Sequence, residues 1–126
     1  MQDSDNTTII DLGLARKEAV NERFRHRRRA VKIKITVGQY NKSRFGINVR
    51  KIMNAVFRGR DLPVKIIGTK GEVKSFIEAM KRETQYLKTA RRYGLDDHRT
   101  YKKKYKLKRA VSKFERDTGL KWPLEN

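Results

Sequence analysis

The chain has 126 residues, of which 37% are hydrophobic and 37% are charged, a composition that suits one domain with a small core. It contains no cysteine, which excludes disulfides, cysteine zinc sites and thiol catalysis. The 33 Lys and Arg against 14 Asp and Glu give a net charge of +19, whereas a small domain needs a magnitude of only about 2–8 for solubility.

The first third of the chain is expected to contain a tail, a helical arm and a strand. Residues 1–8 have the composition of a disordered acidic tail, and residues 9–30 are expected to form a basic helical arm that starts near Thr8 or Asp11. The segment "VKIKITV", residues 31–37, alternates apolar with polar or basic residues, which predicts a half-buried strand. A single α+β domain is expected over residues 31–126.

The middle of the chain predicts a helix, a strand and a longer helix. "INVRKIMNAVFRG" indicates a short helix with Asn48 as its cap and Gly59 just past its end, although "RFGINV" can also be read as a hairpin strand. After Pro63, "VKII" predicts a second strand. Thr69 and Glu72 then have the spacing of a reciprocal capping box. The expected inward stripe of this helix is Val73, Phe76, Ile77, Met80, Leu87 and Ala90, and Gly94 ends it.

The last helix is expected to begin at Asp96 or Asp97 and to end at Gly119, with Trp122 packed against the body. A rotation of 100° per residue turns Leu107, Ala110, Val111, Phe114 and Thr118 inward. The opposite face holds Lys102, Tyr105, Arg109, Lys113 and Arg116, with Tyr101 on its flank. The fold class is therefore α+β, a sheet of two or three strands covered by three to four helices, with strand direction left open.

The positive charge is concentrated in two blocks. The first block, from Arg23 through Arg60, contains thirteen Lys or Arg and no acidic residue. The second block, from Arg99 through Lys113, contains eight Lys or Arg and no acidic residue. Such an excess favours polyanionic partners, because neutralised phosphates release condensed counterions. Nucleic acid is the first expected partner and an acidic protein is another. No membrane binding is expected, since there is no basic amphipathic helix with a Trp or Phe face and no lipidation motif.

The predicted nucleic-acid contacts are Arg23, Arg25, Arg27, Arg28, Arg29, Lys32, Lys34, Tyr101, Lys102, Tyr105, Lys108, Arg109 and Lys113. Clustered arginines repel one another without a partner and bind phosphate with two hydrogen bonds each. A solvated helix end is the alternative for the arm. Tyrosines among lysines can stack on bases, and the alternative is that both pack along the edge of the helix.

Catalysis finds little support in the sequence. His26 and His98 lie far apart without a partner at ligand spacing, so no metal, no cofactor and no enzyme activity are expected. A nuclease reading would combine Asp61, Glu72 and Lys74 around Mg²⁺, but Glu72 is already used as a capping residue. The segment "IIGTKGEVKSFI" resembles the G-x-x-G loop of a KH domain, although the capping box explains the same residues more simply.

The half from Pro63 to Leu124, above all "RRYGLDDHRTYKKKYKLKRAVSKFERDTGLKWP", resembles the small basic accessory proteins of large tailed bacteriophages. The resemblance implies a viral protein that acts inside a bacterial cell on nucleic acid or on a host machine, and it transfers no site residues. The sequence thus predicts a cytoplasmic, non-enzymatic protein that binds nucleic acid through phosphates, with duplex DNA slightly favoured over structured RNA. An RNA- or ribosome-associated protein and an inhibitor of an acidic host protein are the alternatives, and the oligomeric state stays open.

Overall fold

A computed structural model of the chain describes residues 7–19 and 43–124. The elements are β1 (Thr8–Asp11), α1 (described over residues 12–19), α2 (Arg44–Phe57), β2 (Val64–Ile67), α3 (Lys70–Tyr93) and α4 (His98–Thr118). The described residues form two compact units, divided between Gly68 and Thr69 and again between Trp122 and Pro123. The α+β class is confirmed, since the described part of the chain is mostly helical with a small sheet. The arginine-rich end of the expected arm and the expected strand over residues 31–37 lie outside the described residues.

The sheet of the first unit consists, within the described residues, of β1 and β2 paired in parallel, with Thr8 opposite Val64 and Asp11 opposite Ile67. Thr8 and Ile10 are buried, so alternate residues of β1 face the core. The expectation that Thr8 belongs to a tail or starts a helix is wrong, because the β-branched residues here favour a strand once a partner is present. Asp11 does act as a cap, since its Oδ1 accepts a hydrogen bond from the backbone N–H of Leu14 at 3.0 Å.

Helix α2 begins earlier than the sequence predicted. Ser43 is its cap, and the Ser43 Oγ accepts a hydrogen bond from the backbone N–H of Gly46 at 3.1 Å. The assignment of Asn48 as the cap is wrong, because its side-chain amide instead donates to the carbonyl of Ile9 in β1 at 3.2 Å. The hairpin alternative is wrong as well, because residues 44–49 lie within α2. The buried side chains of α2 at helical spacing are Phe45, Val49 and Met53. Gly59 follows the helix end as predicted.

Both helices of the second unit begin and end at the predicted signals. The Thr69 Oγ1 accepts from the backbone N–H of Glu72 at 3.2 Å, and the Thr69 N–H donates to Glu72 Oε1 at 3.0 Å, which completes the capping box. Gly94 ends α3, Asp97 caps α4 and Gly119 ends α4. Gly119 has a φ of 74°, a left-handed conformation that glycine adopts without the steric cost of a Cβ atom.

The inward face of α3 is rotated relative to the expected stripe. Its buried residues are Glu72, Ser75, Phe76, Ala79, Glu83 and Tyr86. Of the expected stripe only Phe76 is fully buried, and the inward assignment of Ile77 is wrong because that side chain is 51% exposed. The rotation follows from polar partners, since the Ser75 hydroxyl donates to Asp117 and Glu83 Oε1 accepts from the indole N–H of Trp122 at 2.9 Å.

The core of the second unit is an aromatic cluster. The ring centroid of Phe114 lies 5.9 Å from that of Phe76 and 5.2 Å from that of Trp122. Leu107 and Thr118 are also buried, which confirms most of the predicted inward face of α4 and the predicted packing of Trp122. Buried aromatic rings at such distances contribute beyond their area, by about 0.5–1.5 kcal/mol a pair. These contacts hold α4 so that the side of the helix facing away from the aromatic cluster is exposed to solvent.

Candidate nucleic-acid interface

The outward side of α4 carries a row of exposed cations and two tyrosines. We call this surface the α4 face, and it consists of Tyr101, Lys102, Tyr105, Lys106, Lys108, Arg109, Lys113 and Arg116, all of them exposed. From the first to the last of these residues the helix rises about 22 Å at 1.5 Å per residue. A regular helix therefore fixes the order and the spacing of the charges.

The start of α4 is held by Asp97 and Arg99. Asp97 Oδ1 accepts from the backbone N–H of Arg99 at 2.9 Å and from Arg99 Nε at 3.0 Å, and Asp97 Oδ2 accepts from Arg99 Nη2 at 3.1 Å. These hydrogen bonds lower the pKa of Asp97 from its ordinary value of 3.8 to about 2 and raise the pKa of Arg99. The Arg99 guanidinium also lies 3.5 Å from the ring centroid of Tyr93. Arg99 lies in the first turn of α4 and is engaged by Asp97 and Tyr93, so we leave it out of the α4 face.

The cations of the α4 face differ in their partners. Lys113 Nζ donates to Asp117 Oδ2 at 2.7 Å. The pKa of Asp117 is lowered mainly by this hydrogen bond and, second, by the hydrogen bond from the Ser75 hydroxyl. In the part of the chain that the structure describes, five cations of the face have no carboxylate partner, namely Lys102, Lys106, Lys108, Arg109 and Arg116. An exposed ion pair contributes about 0–1 kcal/mol, so a phosphate can replace Asp117 at little cost. The other five repel one another until an anion binds.

Both tyrosines of the face are open to solvent. The side chain of Tyr101 is 58% exposed and that of Tyr105 is 64% exposed. The guanidinium carbon of Arg109 lies 5.9 Å from the ring centroid of Tyr105, within the range of a cation–π contact. The two tyrosines are one helical turn apart, about 6 Å along the axis. Each ring offers a flat apolar surface beside positive charge, the combination on which unpaired bases stack.

The structure brings together the predicted site residues of the last helix. Tyr101, Lys102, Tyr105, Lys108, Arg109 and Lys113 all lie on the α4 face. The other predicted contacts, Arg23, Arg25, Arg27, Arg28, Arg29, Lys32 and Lys34, lie outside the described residues. Lys106 and Arg116 were not among the predicted contacts, although the same 100° periodicity places both on the outward side.

Comparisons with family models, with curated proteins and with solved structures find no match to this chain. Over residues 7–19 and 43–124, no helix combines the length and the apolar content needed to cross a bilayer. Among those same residues no three His, Asp or Glu side chains are grouped in a way that could hold a metal ion.

Proposed function

We propose that the protein binds nucleic acid without catalysing a reaction, and that its α4 face contacts the phosphates of a duplex. The observation that supports this is the row of five exposed cations without carboxylate partners on one side of a single helix. The row is about 21 Å long and so spans roughly six base pairs at 3.4 Å each. Phosphate contacts position a protein without reading bases, so binding is largely independent of sequence.

The arginine cluster from Arg23 to Arg29 and the lysines Lys32 and Lys34 enter this proposal through their charge alone. They add seven cations to those of the α4 face, and each neutralised phosphate steepens the dependence of affinity on salt. The proposed activity belongs in the cytoplasm. The resemblance of the second half to bacteriophage accessory proteins implies a bacterial host cell as the setting.

Two variants with equal charge loss test the α4 face. The first replaces its five cations without partners, Lys102, Lys106, Lys108, Arg109 and Arg116, by Gln. The matched control replaces five exposed cations of α3, Lys70, Lys74, Lys81, Lys88 and Arg91, by Gln. Binding to a labelled 20-base-pair duplex is followed by fluorescence anisotropy across a salt series.

We expect the α4 variant to lose about 100-fold or more in affinity at low salt, and its salt slope to become shallower by about 4.5. The α3 variant should keep most of the affinity and most of the slope. Equal losses in the two variants would mean that net charge alone sets the affinity, and the α4 face would then have no special role. If the native chain binds neither duplex nor RNA hairpin at low salt, the proposal is wrong. A pull-down that survives nuclease treatment would then identify an acidic protein partner.

The exposed tyrosines favour a second candidate, an RNA- or ribosome-associated protein that binds unpaired bases beside a helix. Replacing Tyr101 and Tyr105 by Leu keeps the charge of the face and removes its aromatic surfaces. Loss of stacking costs about 1–3 kcal/mol for each base. We expect the double variant to weaken binding to an RNA hairpin with an unpaired loop and to leave duplex binding unchanged. An unchanged affinity for the hairpin contradicts this second candidate and leaves the duplex proposal in place.

A further inference from the structure

A groove lies in the first unit beside the second half of α2. We call it the α2 groove, and its walls are formed by α2 from Ile47 onwards and by the loop from Arg58 to Leu62 that leads towards β2. Its volume is about 600 Å³, within the range of about 300–1,000 Å³ that small-molecule sites occupy. None of its wall residues belongs to the α4 face.

One part of the groove wall is apolar. Ile47, Ala55 and Leu62 line it, and the side chain of Ile47 is 52% exposed. A half-exposed branched side chain in a concave wall gains free energy when a flat apolar group covers it, by about 25 cal/mol for each Å² removed from water. The wall is therefore suited to a planar ring and not only to an ion.

Cations also line the groove. Lys51, Arg58 and Arg60 line the groove, and none of the three forms an ion pair with any residue that the structure describes. Arg50 lines the groove as well. Arginine matches the geometry of phosphate with two parallel hydrogen bonds, and lysine binds it as a point charge. These cations therefore make the groove suited to a phosphate group.

Two further polar side chains distinguish the groove from a surface that only follows phosphates. Asn54 and Asp61 line it, and within residues 7–19 and 43–124 neither side chain takes part in a hydrogen bond or an ion pair. Asp61 shares the groove with four cations and yet pairs with none of them. A carboxylate repels phosphate, but it accepts hydrogen bonds from ribose hydroxyls and from base amino groups, and an amide both donates and accepts.

We propose that the α2 groove binds a single nucleotide. The base lies against Ile47, Ala55 and Leu62, and the phosphate is held by Arg58, Arg60 and Lys51. Asn54 and Asp61 hydrogen-bond the polar edge of the base or the ribose hydroxyls. This combination of an apolar wall, cations and one carboxylate matches the three parts of a nucleotide. The proposal does not depend on duplex binding by the α4 face.

The test is an NMR titration of the ¹⁵N-labelled full chain with adenosine monophosphate and, separately, with inorganic phosphate. Adenosine monophosphate should shift the amide signals of α2 and of residues 58–62 in a saturable way, with an affinity about tenfold or more above that of phosphate. Arg58→Gln should lower the affinity for adenosine monophosphate about tenfold through loss of a charge-assisted contact. Lys17→Gln, an equal charge loss at an exposed position of α1 in the same unit, should leave it unchanged.

Asp61→Asn gives the sharpest distinction, because its two expected effects have opposite signs. It should weaken binding of adenosine monophosphate, since an amide has one acceptor oxygen and no charge where the carboxylate has two oxygens and accepts stronger, charge-assisted hydrogen bonds. It should strengthen binding of inorganic phosphate, which uses no such acceptor, since a repelling charge is removed. The spectra of each variant also report whether the chain is folded. A four-nucleotide single strand is then added in place of the mononucleotide. If it saturates the same signals at lower concentration, the groove binds a nucleotide within a strand. Weaker or equal binding of the strand assigns the groove to free nucleotides.

Two results would overturn the proposal. Equal affinity for phosphate and adenosine monophosphate would mean that the groove binds anions and nothing more. Absence of shifts in α2 and residues 58–62 at millimolar adenosine monophosphate, in a chain that still binds duplex, would remove the groove as a site and leave the α4 face untouched.

Discussion

The α4 face and the α2 groove are both rich in cations, but they differ in shape and in what accompanies the charge. The face is a convex row on one helix, with five cations that have no described carboxylate partner and two exposed tyrosines. The groove is concave, and it adds an apolar wall, an amide and one carboxylate, Asp61, to its cations. A row of like charges suits a polymer with regularly spaced phosphates, whereas a mixed concave wall suits one small molecule with several kinds of group.

The carboxylates show how the two regions differ. No acid lies between Arg99 and Lys113, and Asp117, which follows this block, is engaged by Lys113 and Ser75. The groove places Asp61 among cations without an ion pair to any described residue. Positive charge alone therefore does not identify the ligand of a basic surface. The arrangement of the acids among the cations carries part of that information.

The largest expected effect comes from removing the core behind the α4 face. Phe114→Ala deletes a fully buried ring that packs on Phe76 and Trp122 and should cost about 3–5 kcal/mol of stability. Chemical denaturation followed by the fluorescence of Trp122, the one tryptophan of the chain, measures this loss directly. Duplex binding should weaken with it, because the order of the cations depends on a folded helix.

The control for this variant is Tyr101→Ala, which removes an aromatic ring of similar size from the exposed side of the same helix. Its stability should change by no more than about 0.5 kcal/mol. If Phe114→Ala unfolds at the same denaturant concentration as the native chain, the aromatic cluster does not stabilise α4. The geometry of the α4 face would then have to be maintained by other contacts.

A smaller effect separates the two surfaces by their response to salt. With at least five phosphates neutralised, duplex affinity should fall about 500-fold or more between 50 and 200 mM salt, because log affinity changes by about 0.9 for each phosphate and each tenfold step in salt. Adenosine monophosphate carries at most two charges, so its affinity for the α2 groove should fall less than about tenfold over the same range. Anisotropy for the duplex and the NMR titration for the nucleotide give both slopes. Equal slopes would show that the two surfaces do not differ as proposed.

Local signals in the sequence were sufficient to predict most helix ends. A capping hydrogen bond joins residues two or three positions apart. The helix starts at Thr69 with Glu72 and at Asp97 with Arg99 can therefore be recognised from the local sequence alone. The outward face of α4 was predictable for a similar reason, because helical periodicity alone orders its residues. The ion pair of Lys113 with Asp117 has the i, i+4 spacing that also identifies such pairs from sequence.

Features that depend on distant partners were not predictable. The four residues of β1 are too few to predict a strand from their own sequence, because they form one only by pairing with Val64 and its neighbours. The inward face of α3 was placed wrongly because hydrophobic periodicity does not register Ser75 and Glu83, whose partners are Asp117 and Trp122. The α2 groove requires a helix and the loop after it to form one wall, which no single pattern in the sequence describes.

The smallest expected effect tests whether the α4 face depends on the charge at the start of its helix. The hydrogen bonds from Arg99 lower the pKa of Asp97 from 3.8 to about 2, so the folded state binds this proton less tightly than the unfolded chain. The contribution of Asp97 is therefore complete above about pH 4 and is lost as the pH falls towards 2. Asp97→Asn keeps a capping oxygen but removes the charge that Arg99 contacts. It should lower the melting temperature at pH 7 by no more than about 4 °C, and this difference should shrink between pH 4 and pH 2.

Thermal melts followed by circular dichroism at several pH values measure the effect, and Asp96→Asn, at the exposed neighbouring position, provides the control for a change in net charge. Asp97 precedes Tyr101 and Lys102 by about one turn, so fraying there would first affect the tyrosine end of the α4 face. The variant should therefore weaken binding of the RNA hairpin more than binding of the duplex, which also contacts the later cations. A melting difference that stays constant from pH 7 to pH 2.5 would mean that the charge of Asp97 does not stabilise α4. The tyrosine end of the face would then be held by the cap geometry and the aromatic core alone.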